Sequence, residues 1–228
     1  MLHSLSRTEV QALISACSRR APTGIRNRAL IATLYRAGLR LSEALNLTPR
    51  DLDMETGEGE AHRGAGQKLR PFGLDEGAIE LIRRWKVARA QLAKPRGFDP
   101  LKAPLFCTLN GGQLSPRYVQ AALKRLGEKA GIEKHVHPRV LRHAFAIELA
   151  KEGIPTDEIQ AALGHENIET TERYISRLTG PSIRRIAMSR KSWGFDQDID
   201  DEAMLLINLL AKRGISPEKL VEALSKAS

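Results

Sequence analysis

Three short stretches of this 228-residue chain carry side chains whose type and spacing suit chemistry. "HPRVLRHAF" (137–145) sets Arg139 and Arg142 three positions apart, just behind a proline. A helix starting at Pro138 would put both on one face. "AGLRLSEAL" (37–45) places Arg40 two residues after Gly38, with Glu43 three residues further on. "ALGHENIETTERYIS" (162–176) places His165 just past a helix end and Tyr174 nine residues later. Arginine presents a planar fork of donors that matches phosphate or carboxylate. Each group also has an ordinary structural reading. The two arginines of the first stretch could form a solvated basic face. Arg40 and Glu43 could be a helix-surface ion pair of little worth. His165 could cap a helix, and Tyr174 could be half-buried packing.

The elements that must position these residues are mostly helical. "SLSRTEVQALISACSRR" reads as an amphipathic helix capped by Ser6 or Thr8, with Val10, Leu13 and Ile14 at helical spacing. "GIRNRALIATLYRAGLRLSEALNLT" reads as two helices broken near Gly38. Residues 51–75, "DLDMETGEGEAHRGAGQKLRPFGLD", are rich in turn formers and predict short strands with a hairpin. Helical pattern returns at "EGAIELIRRWKVARAQL" and at "SPRYVQAALKRLGEKAGI", with Pro116 near the start of the latter. Three short helices follow, in "HPRVLRHAFAIELAKEGI", "PTDEIQAALGH" and "NIETTERYISRL", with Gly153 and Gly164 as stop signals. The tail, from about 181 to 228, predicts two further helices with leucine-rich faces, packed on the same chain or on a neighbouring subunit. The expected fold is mainly α with a small antiparallel β-sheet, an α+β architecture.

Charge points to the partner. The chain carries a net +9, unevenly spread. Residues 195–228 hold seven acids and four bases, or −3; the other 194 hold 20 acids and 32 bases, or +12. A strongly basic body suits a polyanion, usually nucleic acid, although solubility alone is also served by net charge. No run approaches the apolar length of a membrane span, and the first residues lack a signal-peptide layout. Cys17 and Cys107 follow no metal spacing and read as free thiols of a reducing cytosol.

In combination and in this order, these motifs resemble the catalytic domain of the tyrosine recombinases, the phage integrase family, and especially its bacterial Xer-type members. The resemblance runs from about Leu5 to Leu178. It is carried by "GLRLSEALNLTPRDLD", "GAGQKLRPFGLD", "HPRVLRHAFAIELAKEGI" and "LGHENIETTERY". It implies that Tyr174 attacks a DNA phosphodiester, leaving a 3′-phosphotyrosyl link and a free 5′-hydroxyl, with no cofactor and no metal. Arg40 and Arg142 would stabilise the charged transition state. His165 would hydrogen-bond the phosphate, and Glu43 would orient the surrounding basic groups. The implied organisation is a catalytic domain at 1–180 and a helical tail at 181–228, without the N-terminal helical domain that relatives place across the DNA. The implied partners are double-stranded DNA and further copies of the chain, as a dimer or tetramer on DNA, in the cytoplasm with the nucleoid.

Two positions depart from the family pattern. The strand turn usually carries a lysine that protonates the leaving 5′-oxygen; here it reads "GAGQK", with Ala65 in that place. Lys68, on the same hairpin, is the expected substitute, or else a contact to the DNA backbone. Arg139 stands where relatives most often keep histidine or lysine, and its permanent charge makes it a poor proton shuttle. These departures leave room for slow or partner-activated cleavage, or for a relative that binds DNA without cutting it. Relaxation of supercoils by the same tyrosine chemistry is a further alternative. A helix-turn-helix reading of "IPTDEIQAALGHENIETTERYI" would also bind DNA, but it leaves Arg40, Glu43 and the hairpin without a purpose.

Overall fold

The first helix begins where a serine can satisfy its open end. Ser6 Oγ accepts from the Glu9 N–H, and Glu9 Oε2 accepts from the Ser6 N–H at 2.7 Å. Ser6, rather than Thr8, is therefore the cap of helix α1 (Arg7–Ser15), which buries Val10, Leu13 and Ile14. The computed structural model describes residues 4–63 and 68–164, all within one unit of the chain, Met1–Lys191.

Helix α2 (Pro22–Arg36) opens on proline at its first turn and is buried on nearly every face over its second half. It packs against α1, against α4 (Glu76–Arg96) and against α6 (Pro138–Lys151). Its end is set by Gly38, at φ +59°. A Cβ there would sit 2.4 Å from the Phe145 ring of α6, so only glycine lets the break lie against that helix. The chain then enters α3 (Leu41–Asn46) with Arg40 at its N-cap.

The predicted hairpin is a two-stranded antiparallel ribbon, β1 (Glu58–Arg63) with β2 (Lys68–Gly73). Ala61 faces Arg70 and Arg63 faces Lys68 in its register. Pro71 cannot donate to a ladder, and a two-stranded ribbon tolerates that. Asp75 ends the hairpin and caps α4, accepting from the Ala78 N–H at 3.0 Å. Trp85 of α4 is fully buried and donates to the Leu105 carbonyl at 2.7 Å. Helix α5 (Pro116–Lys129) is capped by Ser115. Helices α6 and α7 (Thr156–Leu163) form a small apolar cluster of Phe145, Leu149, Ile159 and Leu163.

A buried ionic network ties these pieces together. Arg36, at the end of α2, pairs with Asp75 and, at 3.3 Å, with Glu148 of α6. Arg7 of α1 donates to the same Glu148 at 2.7 Å. One side chain thus holds the α4 cap and α6 at once, and fixes the helix that carries Arg142. No described helix is long and apolar enough to cross a membrane. The fold is mainly α with a small antiparallel sheet, as the sequence patterning implies.

Candidate active site

Glu43 lies at the centre of the site, its side chain only 3% exposed. Its Oε2 accepts from the Arg40 backbone N–H at 2.7 Å, and its Oε1 from the Arg40 guanidinium at 2.9 Å. This is the return half of a capping box; arginine has no acceptor with which to make the other half. Arg70 of β2 donates to Oε2 at 3.1 Å, and Arg142 lies 3.8 Å from the same oxygen. Burial alone would raise the carboxyl's pKa. The Arg70 charge and the Arg40 bonds outweigh it and hold Glu43 below the usual carboxylate range. The Arg40–Glu43 pair is therefore not the exposed helix pair of the ordinary reading. It is one edge of a four-residue cluster built on α3, β2 and α6.

The last turn of α7 supplies the other acceptors. Arg70 donates to the Ala162 carbonyl, Arg142 to the Leu163 carbonyl and Arg40 to the Gly164 carbonyl. Those carbonyls have no donors within their own helix, and they form the negative end of its dipole. Arg142 also donates to the Gly38 carbonyl at 2.8 Å. The guanidinium planes are thus fixed from behind, and those of Arg40 and Arg142 border the cavity described next.

In front of Arg40 and Arg142 opens a cavity of about 980 Å³, also lined by Arg117, Lys124, His137 and Arg139. Among the described residues that line it there is neither aspartate nor glutamate. Such a surface has strong positive potential and suits a phosphate backbone. Burial, with the charges of His135, Arg139 and His143, lowers the pKa of His137. Burial, with Arg139 and Arg142, does the same to His143.

The structure thus brings Arg40, Glu43, Arg139 and Arg142 to one place. Lys68 opens β2 opposite Arg63 in the strand register. Ala65, His165 and Tyr174 lie outside the described residues. Sequence patterning missed Arg70, although its signal was present. Arg70 and Phe72 are buried while Leu69 between them and the turn is exposed, so a charged residue occupies an inward strand position. It also missed Arg117, Lys124 and His137 on the cavity wall.

An arginine cluster gathered on one basic cavity, on this helical scaffold with its small ribbon, suits a phosphate-bearing ligand. Residues 3–179 match the family model of the phage integrase family, and the chain belongs to that family. Tyrosine recombinase XerC of Bacillus pumilus (strain SAFR-032) is 33% identical over 192 residues, covering 84% of this chain and 62% of the relative. The crystal structure of XerA recombinase aligns with a TM-score of 0.61 at 28% identity, covering 81% of this chain and 63% of that one. XerH site-specific recombinase, bound to its difH substrate in a pre-cleavage complex, aligns with a TM-score of 0.60 at 29% identity. That match covers 75% of this chain and 49% of XerH. The chain therefore spans between about half and two-thirds of the length of these relatives.

Proposed function

We propose that the chain cleaves and rejoins double-stranded DNA as a site-specific recombinase, through a 3′-phosphotyrosyl intermediate. The observation that carries this reading is the pairing of Arg40 and Arg142 on one cavity whose described lining holds no carboxylate, with Glu43 and the end of α7 behind them. Preorganised donors of that kind stabilise charge as it develops on a phosphoryl group.

Tyr174 attacks the scissile phosphorus, and the 5′-oxygen leaves. Arg40 and Arg142 hold the two non-bridging oxygens as negative charge builds, and His165 adds a hydrogen bond. Arg139 contributes a further donor. Lys68 protonates the departing 5′-oxygen in place of the lysine that Ala65 replaces. A 5′-hydroxyl of a second strand reverses the attack, so the bond energy is conserved and no cofactor is required. Strand exchange needs further copies of the chain on the DNA, as a dimer or tetramer, and residues 181–228 either pack within one copy or dock between copies. The site of action is the cytoplasmic nucleoid.

The test is a nicked suicide substrate bearing the native site, incubated at low and moderate salt. A covalent protein–DNA adduct that disappears in Tyr174→Phe supports the reading. Tight binding without an adduct at any salt concentration overturns cleavage in favour of a non-cutting relative. A two-site recombination assay beside plasmid relaxation separates exchange from simple nicking, and a Lys68→Ala variant that cleaves at the normal rate removes that lysine from the mechanism.

A further inference from the structure

A second buried ionic junction joins the same three segments that meet at Glu43. Arg36, its side chain 0% exposed, donates to Asp75 and, at 3.3 Å, to Glu148. Arg40 follows Arg36 by four residues, Arg70 precedes Asp75 by five, and Arg142 precedes Glu148 by six. Each arginine of the Glu43 cluster is thus carried on a segment that also reaches Arg36. Neither Arg36 nor Glu148 is among the described residues that line the cavity.

Between the two junctions, the break after α2 runs along α6 in the opposite chain order. Arg36 meets Glu148, Gly38 lies against the Phe145 ring, and the Gly38 carbonyl accepts from Arg142 at 2.8 Å. The other contacts of this part of α6 are apolar, Phe145 and Leu149 packing with Ile159 and Leu163. Apolar contact is non-directional, so it resists separation better than sliding. Charge-assisted hydrogen bonds to a planar guanidinium are directional and fix a register. Held at Glu43 alone, α6 could pivot about Arg142. The bond to Glu148, about 9 Å further along the helix axis, removes that freedom. Arg7 of α1 donates to the other oxygen of the Glu148 carboxylate at 2.7 Å, so both oxygens are held.

We propose that Glu148 is a positioning residue of the active site, which sets the placement of Arg142 relative to Arg40 by holding Arg36. The effect on cleavage rests on the recombinase reading above. Glu148 touches neither the cavity nor Arg142 itself; it acts through Arg36 and the backbone of α6. A buried ion pair gains little net stability over apolar side chains of the same volume. Its value here is in register, because two arginines that share one phosphate need a fixed separation. A misplacement on the order of 1 Å costs about 100-fold in rate.

The test compares the wild-type chain with Glu148→Leu, Glu148→Gln and Glu152→Gln, at a temperature where circular dichroism shows each to be folded. Single-turnover cleavage of the suicide substrate is read at saturating protein, with DNA affinity by fluorescence anisotropy. Glu148→Leu is expected to cleave about tenfold to 100-fold more slowly, and Glu148→Gln, which keeps the length and an accepting oxygen, about fivefold more slowly. Kd should stay within about threefold of wild type for both, since the loss belongs to the chemical step. Glu152→Gln removes the neighbouring partner of Arg7, 3.4 Å away, but leaves Arg36 and Glu148 in place, so it should keep the rate. Arginine side-chain NMR of the DNA-free chain, assigned through Arg40→Lys and Arg142→Lys, reads the displacement without cleavage. The Arg142 guanidinium signals should shift in both Glu148 variants and stay in place in Glu152→Gln. Glu148→Gln carries the test where Glu148→Leu does not fold. Unmoved Arg142 signals overturn the proposal, as does a folded Glu148 variant that cleaves at the wild-type rate or whose loss of rate is matched by an equal loss of affinity. A wild-type chain that forms no adduct would sink the recombinase reading instead, and the NMR comparison would still decide the role of Glu148.

Discussion

Arg70 and Glu43 meet inside the protein at 3.1 Å, with side chains 4% and 3% exposed. Neither is a neighbour of the other in sequence. Glu43 caps the helix that begins at Arg40, and Arg70 reaches past it to the Ala162 carbonyl at the end of α7. Their contact joins the strand ribbon, the short helix α3 and the end of α7 directly behind Arg40 and Arg142.

Replacing Arg70 should therefore harm the site without touching its ligand. Arg70→Met leaves Glu43 with fewer cations and deprives α7 of a donor. Breaking a buried pair in this way costs about 3–5 kcal/mol, a fall in thermal midpoint of roughly 10 °C for a unit of this size. Single-turnover cleavage should fall by about tenfold or more, while DNA affinity stays within about threefold, because Arg70 does not line the cavity. Arg70→Lys keeps a charge for Glu43, but its single ammonium lacks the fork that spans both partners, so it should restore stability more than rate. Calorimetry and cleavage assays that find Arg70→Met equal to wild type would show that the contact does not matter.

Glu43 gives a pH signature. Its carboxyl is held below the usual range in the folded protein, so the folded state releases that proton more readily than the unfolded chain does. The stabilisation is complete above the unfolded value of about 4.3 and is lost as pH falls through the lower folded value. Glu43→Gln should consequently be less stable than wild type at pH 7, with the gap narrowing at acid pH below about 4.3. Thermal melts across pH 2.5–7 test this, and curves that stay parallel would contradict it.

Local signals made much of this architecture legible. Ser6 with Glu9, Pro22, Pro116 and Pro138 mark helix starts, and Gly38, Gly153 and Gly164 mark ends, because each acts through bonds and dihedrals within a few residues. Arg40 and Arg142 stood out through a resemblance spread over four motifs. What the sequence could not display was the shared backing of the arginines. Arg40 reaches a carbonyl 124 residues away, Arg142 one 104 residues away, and Arg70 one 92 residues away. Such acceptors are backbone oxygens that any residue supplies, so only the tertiary packing selects them, by setting α6 against α2 and bringing the end of α7 to Arg40 and Arg70. The basic wall from α5 was hidden for a similar reason. Arg117 and Lys124 look like ordinary solvated helix residues until α5 is set beside α6.

Gly38 joins the fold to the site. It combines φ +59° with a ring contact that leaves no room for a Cβ, and its carbonyl accepts from Arg142. Gly38→Ala is expected to cost about 2–4 kcal/mol from left-handed strain and overpacking together. Adding Phe145→Leu should relieve the clash but not the strain, so the double variant should recover only part of the loss. Full recovery in denaturant titrations would show that the backbone conformation costs nothing there.

The cavity wall can be tested one charge at a time, because phosphate contacts have a characteristic dependence on salt. Each phosphate neutralised releases condensed counterions, so the slope of log affinity against log salt counts the contacts. Arg117 and Lys124 line the cavity from α5 and lie outside the Glu43 cluster, so their loss should leave the arginine geometry intact. Arg117→Ala and Lys124→Ala should each weaken binding to any duplex and reduce the magnitude of that slope by about 1, with the double variant reducing it by about 2. A discrimination between native and scrambled sites that is unchanged in these variants would mark them as backbone contacts. Arg83→Ala, on the exposed surface of α4 and paired with Glu80, is the matched control and should leave the slope unaltered. Fluorescence anisotropy between 50 and 300 mM salt reads all four variants. Equal slopes for wild type and the α5 variants would move the DNA path away from this cavity.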